Sequence, residues 1–337
     1  MSLQAKMQAM LPEIEHELRD VIDRTTNPAY PDLRGMLAYH LGWEGEGAGP
    51  EAQGKRIRPL MVLLCADASG ADWHQALPAA AAVELLHNFS LIHDDIQDNS
   101  PLRRGRPTVW TKWGIAQAIN AGDVMFTQAF QALHRLSVTL SPVVALEAHN
   151  VLERTCLRLT EGQFLDISYE KQPAIPLEDY WPMVGGKTSA LLGCCAELGA
   201  LAAGCNSEQR SAFDNFGFSL GLAFQILDDW LGIWGDAAVL GKSTESDLAA
   251  GKKTLPVLIG LERSQEFRRR WQAGPLQAGD IGPMISYLEV VGAGQAALSE
   301  AERLTLRAMD ALERAVPQAD RSADLRELAD TLLKRKK

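Results

Sequence analysis

Apolar residues recur at three- and four-residue spacing through nearly the whole chain, which is the period of one helix face. Strand-like alternation of β-branched and aromatic residues is nearly absent, so the pattern predicts an all-α fold. Helices are expected over Gln4 to Thr25, Arg58 to Ala68, Trp73 to Asp98, Thr108 to Leu140, Pro142 to Tyr169, Leu177 to Gly204, Ser207 to Trp234, Leu255 to Gln272, Asp280 to Val291, Gln295 to Ala315 and Ala323 to Lys336. Breaks fall at Gly47-Ala48-Gly49-Pro50, Pro101, Ser141-Pro142, Pro173 to Pro176 and Gly274-Pro275, where glycine and proline end helices. These breaks are short and no Ser/Pro-rich linker divides the chain. A single helical domain over residues 1–337 is expected, with Met1 to Leu3 reading as a cloning scar.

Composition narrows the classes. Apolar residues make up 46% and charged residues 23%, an ordinary globular balance that excludes disorder. A net charge of −10 argues against nucleic acid or an anionic membrane surface as partner, so an anionic ligand must be met by a local basic cluster. The longest apolar stretch, Ala190 to Gly204, is interrupted by Glu197 and falls short of the roughly 20 residues of a membrane span. Five cysteines, odd in number and without metal-type spacing, fit a reduced cytoplasmic chain.

The acidic stretch His93-Asp94-Asp95-Ile96-Gln97-Asp98 changes the picture more than composition does. Asp94 and Asp98 stand four residues apart on one helix face with Asp95 beside them. They repel one another and oppose the helix dipole near a C-terminus, two penalties that a divalent cation would relieve. Mg²⁺ takes one or two carboxylates together with substrate phosphates. Alone, such a cluster reads as a solvated helix end. A second pair, Asp228-Asp229, follows the apolar-rich stretch Leu220 to Leu227, and on an apolar helix face its desolvation is costly unless the charges are paired or metal-bound.

Basic groups are equally local. Lys55, Arg56 and Arg58 surround a helix start, and Arg103, Arg104 and Arg106 follow the first acidic cluster. Arginine forks and helix N-termini suit phosphate oxygens. His87 lies two helical turns before Asp94, and His93 adjoins it; a lone helical histidine is more often structural. Gly185-Gly186-Lys187-Thr188 lacks the four-residue gap of a phosphate-binding P-loop. Trp110, Trp113, Trp230 and Trp234 read as core.

In order, GKRIRP, HNFSLIHDDIQDNSPLRRGRPTVW, GGKTSALL, FQILDDWLGIWGD and GKSTESDLAAGKKTLPV resemble the head-to-tail trans-isoprenyl diphosphate synthases, or polyprenyl synthetases. The resemblance implies one all-α bundle around a cavity, the isoprenoid synthase fold, assembled as a homodimer. It implies a prenyltransferase that joins isopentenyl diphosphate to an allylic diphosphate (dimethylallyl, geranyl or farnesyl) with three Mg²⁺ ions per active site. Asp94, Asp98 and Asp228 would bind the metal, with Asp95 in support. Arg103, Lys187, Lys242 and Lys252 match contacts to the allylic diphosphate, and Lys55, Arg58, His87 and Arg104 match the isopentenyl diphosphate pocket. Lys187, Thr188 and Gln225 match groups near the developing carbocation.

The second motif departs from the family's DDxxD, because Gly232 stands at its third aspartate; Asp236 or Asp247 is expected to restore charge nearby. Phe89 and Ser90 lie five and four residues before Asp94, about one helical turn of about 5.4 Å below it. A phenyl ring there is expected to floor the tunnel and favour geranylgeranyl diphosphate, with a farnesyl diphosphate or longer-chain synthase the alternative. A terpene cyclase shares the first motif but has no need of GKRIRP. A noncatalytic subunit of a heteromeric synthase tends to lose the aspartates kept here, and a plain structural bundle would bind no diphosphate with Mg²⁺.

Overall fold

A computed structural model describes residues 2–235 and 246–334. Lys242 and Asp236, both singled out above, lie outside the described residues. Helix dominates, and the strands among the described residues are a two-residue pair, β1 (Leu102–Arg103) and β2 (Arg106–Pro107), paired antiparallel. The chain divides into two compact units, residues 1–153 with 194–210 and residues 154–193 with 211–337.

The helices of the first part of the chain are α1 (Leu3–Thr25), α2 (Pro31–His40), α3 (Pro50–Gln53), α4 (Ile57–Ala68), α5 (Leu77–Gln97), α6 (Val109–Trp113), α7 (Ile115–Leu133) and α8 (Leu136–Thr139). Helix α5 is the centre of this unit and packs along α7, α4 and α1. Its stretch from Pro78 to Leu86 is buried throughout, because four successive alanines let neighbouring helices approach on several sides. A 3₁₀ turn at Trp73–Ala76 precedes it, with the Asp72 side chain accepting from the His74 amide at 3.1 Å. Ser2 caps α1, and Leu3 is buried and takes part in the packing.

Two local departures from the expected helices have plain causes. Helix α2 carries only a weak amphipathic signal and begins on Pro31, whose fixed φ suits a first helical turn. The stretch from Thr108 to Leu140 is three helices rather than one, divided at Gly114 (φ 83°) and again at His134–Arg135.

The later helices are α9 (Pro142–Glu170), α10 (Tyr180–Val184), α11 (Ala190–Ala202), α12 (Ser207–Trp234), α13 (Ser246–Ala249), α14 (Leu255–Arg263), α15 (Gln265–Gln272), α16 (Ala278–Val290), α17 (Ala293–Ala315) and α18 (Ala319–Leu333). In the second unit α14 is buried from Leu255 to Leu261 and packs against α15, α16 and α17. Ser264 ends α14 and caps α15, its hydroxyl accepting from the Phe267 amide at 3.1 Å. Between α10 and α11 the chain makes one π-helical turn, Gly185–Ser189, where a continuous α-helix was expected. No helix among the described residues is long and apolar enough to cross a membrane.

Candidate active site

In the first unit, the sequence RRGR closes β1 onto β2 through a two-residue turn. Arg104 (φ 52°) and Gly105 (φ 73°) both take left-handed backbone, as the twist of a tight hairpin demands. That geometry sends Arg103 and Arg104 to different tasks. Arg103 donates from Nε to both Asp95 oxygens, at 3.0 and 2.9 Å, and from Nη2 to Oδ1 at 2.8 Å. Arg104 donates from Nη1 to the Ala52 carbonyl at 2.8 Å, and a Cβ on Gly54 would lie 2.6 Å from its Nη2. Gly54 is therefore required for Arg104 to lie against the GKRIRP segment.

The three basic residues of that segment also separate. Arg56 is buried in left-handed backbone (φ 49°) and pairs with Glu15 at 2.5 Å and Glu84 at 2.8 Å. It holds α1, α4 and α5 together rather than facing a ligand. Lys55 is exposed. Arg58 donates from Nη1 toward Nε2 of His87 at 3.1 Å, while its buried Nε has no hydrogen-bond partner among the described residues. Burial, with the Arg58 charge beside it, holds the His87 ring well below its usual pKa, so it stays neutral and accepts from Arg58. Burial also lowers the pKa of Arg58 itself. A desolvated guanidinium with an unused donor suits an anion that brings its own charge.

Arg106, grouped with the phosphate-binding arginines on sequence, serves the fold instead. Its guanidinium donates to the carbonyls of Glu46 (2.9 Å), Tyr39 (2.8 Å) and Glu44 (2.7 Å) and stacks 4.0 Å from the Tyr39 ring centroid. No sequence pattern announces this role, because its partners are carbonyls some 60 residues away, at the end of α2 and in the glycine-rich loop that follows it.

The first acidic motif sorts by burial. Asp95 is 2% exposed and taken up by Arg103. Burial raises the Asp95 pKa, against the opposing pull of Arg103. Asp98 is exposed at the C-cap of α5, and its amide donates to the Asp94 carbonyl at 2.8 Å. Phe89 packs its ring 4.9 Å from that of Phe126, which in turn lies 5.2 Å from Phe130. The Ser90 hydroxyl turns back to the His87 carbonyl at 2.8 Å. A cavity of about 720 Å³ elsewhere in this unit, bordered by Tyr30, Asp123 and Gln131, contains none of the residues expected at the site.

In the second unit, the π turn is made by close backbone crossing. A Cβ on Gly162 of α9 would overlap the Lys187 amide and sit 2.6 Å from the Gly186 carbonyl carbon. Only glycines allow α9 this near, and the extra residue in the turn sets the place of Lys187 and Thr188. Lys187 pairs with Asp166 of α9. Thr188 donates to Gln225 Oε1 at 2.9 Å, and Gln225 Nε2 donates to Asp229 Oδ1 at 2.9 Å. Asp229, 6% exposed, also accepts from Tyr180 Oη at 2.8 Å and from the Leu255 amide at 3.0 Å. It thereby caps α14 from another helix, and burial lifts its pKa to about 7 against the pull of these three donors. Asp228, its neighbour, is exposed.

Each acidic motif thus contributes one carboxylate to the fold, Asp95 and Asp229, and presents another at the surface, Asp98 and Asp228. No three metal-binding side chains converge among the described residues. This donor set fits Mg²⁺, which takes one or two protein carboxylates and fills its remaining positions with water and phosphate oxygen. Fold and side chains together define a helical protein whose buried, unsatisfied Arg58 suits an anion and whose exposed aspartates suit hard cations.

Similarity to known proteins agrees with this class. The pattern of the polyprenyl synthetase family matches residues 49–275. The geranylgeranyl diphosphate synthase of Mycobacterium tuberculosis is 39% identical over 334 residues, covering 97% of this chain and 93% of that protein. The (2E,6E)-farnesyl diphosphate synthase of Mycobacterium bovis is 38% identical, covering 94% and 89%. The geranylgeranyl pyrophosphate synthetase structure from Pyrococcus horikoshii aligns with a TM-score of 0.89 at 33% identity, over 99% of this chain and 98% of that one. The chain belongs to the polyprenyl synthetase family, has the all-α isoprenoid synthase fold, and is a short-chain trans-prenyltransferase.

Proposed function

We propose that this enzyme extends an allylic diphosphate with isopentenyl diphosphate and stops at the twenty-carbon product, geranylgeranyl diphosphate. Asp94, Asp98 and Asp228 would hold the Mg²⁺ ions, three per site by family resemblance, which would supply positive charge against the diphosphate leaving group as its C–O bond opens. Arg103, Lys187, Lys242 and Lys252 bind that diphosphate. Lys55, Arg58, His87 and Arg104 bind isopentenyl diphosphate, and the unused Arg58 Nε supports this assignment. Thr188 and Gln225 turn oxygen atoms toward the cation, the Gln225 carbonyl being held by Thr188 and its amide by Asp229. No side chain is assigned as the base that removes the final proton, because departing diphosphate can accept it.

The observation that carries the product length is Phe89, one helical turn before Asp94 with its ring set against Phe126 at 4.9 Å. The farnesyl alternative rests on the second relative, named for that product. A cytoplasmic homodimer completes the reading, drawn from the family and from five free cysteines.

Product analysis tests it. The protein is incubated with Mg²⁺, isopentenyl diphosphate and, in separate reactions, dimethylallyl, geranyl or farnesyl diphosphate. A single twenty-carbon product from every starter is expected. A fifteen-carbon end product would favour the alternative, and no elongation from any starter would overturn the reading.

A further inference from the structure

Position 232 lies four residues after Asp228 on α12, so the two positions share one helix face. Gly232 carries no side chain there, and another residue uses the space. A Cβ built on Gly232 would overlap Oδ2 of Asp247 and lie 2.9 Å from its Cγ and 3.6 Å from its own Cβ. Asp247 belongs to α13, and its other oxygen, Oδ1, lies 3.3 Å from Nζ of Lys252. Its side chain is 18% exposed, partly withdrawn from water yet open on one side.

This arrangement has costs that packing does not explain. A glycine inside a helix is less favourable than alanine. A carboxylate laid against the bare backbone of α12, on the face that carries Asp228, adds negative charge where Asp228 and Asp229 already stand. An alanine at 232 with a short apolar residue at 247 would fill the space without either penalty. Both features make sense together if the carboxylate itself is needed at that place.

We propose that Asp247 supplies, from α13, the third carboxylate that α12 lacks at position 232, and that Gly232 is the slot admitting it. Asp247 then acts with Asp228 on magnesium-bound diphosphate, as direct ligand or as acceptor for metal-bound water, while its Lys252 partner stays close for a phosphate oxygen. This assignment rests on the prenyl-transfer reading above and adds the residue that completes its second acidic motif.

The test uses inorganic pyrophosphate as probe and calorimetric titration across a range of Mg²⁺ concentrations, so turnover is not the readout. The wild-type enzyme should bind pyrophosphate only with Mg²⁺. Asp247→Asn, nearly unchanged in size, should need about 10- to 100-fold more Mg²⁺ for the same binding, the usual effect of losing a carboxylate beside a metal. The exchanged pair, Gly232→Asp with Asp247→Gly, returns a carboxylate to α12 and clears its space; it should recover most of that loss. A wild-type Mg²⁺ dependence in Asp247→Asn overturns the assignment, as does an exchanged variant that melts like wild type yet recovers nothing. Should the exchanged pair fail to fold, the Asp247→Asn titration decides alone. Absence of Mg²⁺-dependent binding in the wild type would overturn the prenyl-transfer reading as well, whereas wild-type binding that ignores Asp247→Asn removes this assignment only.

Discussion

Arg103 grips Asp95 with a two-pronged ion pair, Nε 2.9 Å from Oδ2 and Nη2 2.8 Å from Oδ1, so the middle aspartate of the first motif anchors the hairpin that follows α5. The carboxylate is 2% exposed and the guanidinium 31%, which leaves the pair only lightly screened by water. Lysine cannot reproduce a fork. Arg103→Lys is therefore expected to destabilise the protein by about 1–3 kcal/mol, the cost of an undersatisfied buried acceptor. Urea denaturation measures it, and wild-type stability would show that the hairpin is held by other contacts.

The glycine crossing at α9 has a sharper consequence. Gly162→Ala places a methyl group on the Lys187 backbone, where neither segment has a flexible side chain to move aside. Overpacking of this kind costs about 1–3 kcal/mol, and the displaced π turn should carry Lys187 and Thr188 away from their partners. Elongation rate is expected to fall at least about tenfold, equivalent to about 1.4 kcal/mol of barrier. Gly282→Ala in α16 is the control, with nothing within 4 Å of the new methyl group. It should leave stability unchanged or raise it by up to about 1 kcal/mol. Equal behaviour of the two variants in melting and rate assays would remove the crossing as the cause of the π turn.

Much of this site is legible in the sequence because helical spacing alone aligns Asp94 with Asp98, and because Asp228 breaks an apolar run. The division of labour is not legible. Asp229 looks like its neighbour but caps α14, whose first amide comes 26 residues later, and only the folded chain brings them to 3.0 Å. Arg106 follows Arg103 and Arg104 in the same basic cluster, yet its three acceptors are carbonyls of α2 (Tyr39) and of the loop after it (Glu44, Glu46), which no period or propensity predicts. The π turn escapes for a similar reason: Gly185-Gly186 reads as a weak spot in a helix, and the crossing with Gly162 decides what that weakness becomes. Asp247 reads in the sequence as nearby charge, but its fit to Gly232 is a tertiary fact.

Acid should weaken this fold through two buried histidines, an effect partly offset by Asp229, whose carboxyl is raised to about 7 and takes up its proton over the same range. His40 and His87 are held neutral: burial, reinforced by the surrounding arginines, pulls His40 down to about 3 and His87 well below its usual value. Both folded-state values lie below the unfolded value of about 6.5, so below that pH the unfolded chain binds protons that the native state refuses. Stability is therefore lost as pH falls, by up to about 2 kcal/mol per histidine between pH 7 and pH 5. His40→Gln should remove one histidine's share of that slope. Urea midpoints at pH 7, 6 and 5 measure the effect, and an unchanged slope in the variant would mean that His40 accepts its proton in the folded state.

Phe89 and Ser90 occupy adjacent positions below the first motif, and the structure gives them different weights. The Ser90 hydroxyl is turned onto the His87 carbonyl at 2.8 Å, so Ser90→Ala removes a bond internal to α5 and should leave the products as they are. Phe89 continues through Phe126 and Phe130 as a chain of rings joining α5 to α7, with centroid steps of 4.9 and 5.2 Å. Truncating its first member opens a space of phenyl size without removing any charged group. Phe89→Ala should therefore keep wild-type Mg²⁺ dependence while shifting product from twenty carbons to longer chains. Because Phe126 stands directly behind, Phe89→Ala/Phe126→Ala should lengthen them further, whereas Phe126→Ala alone should change little while the Phe89 ring remains. Chromatography of the dephosphorylated products separates these outcomes, and an unchanged distribution in the double variant would place the floor of the tunnel at other residues.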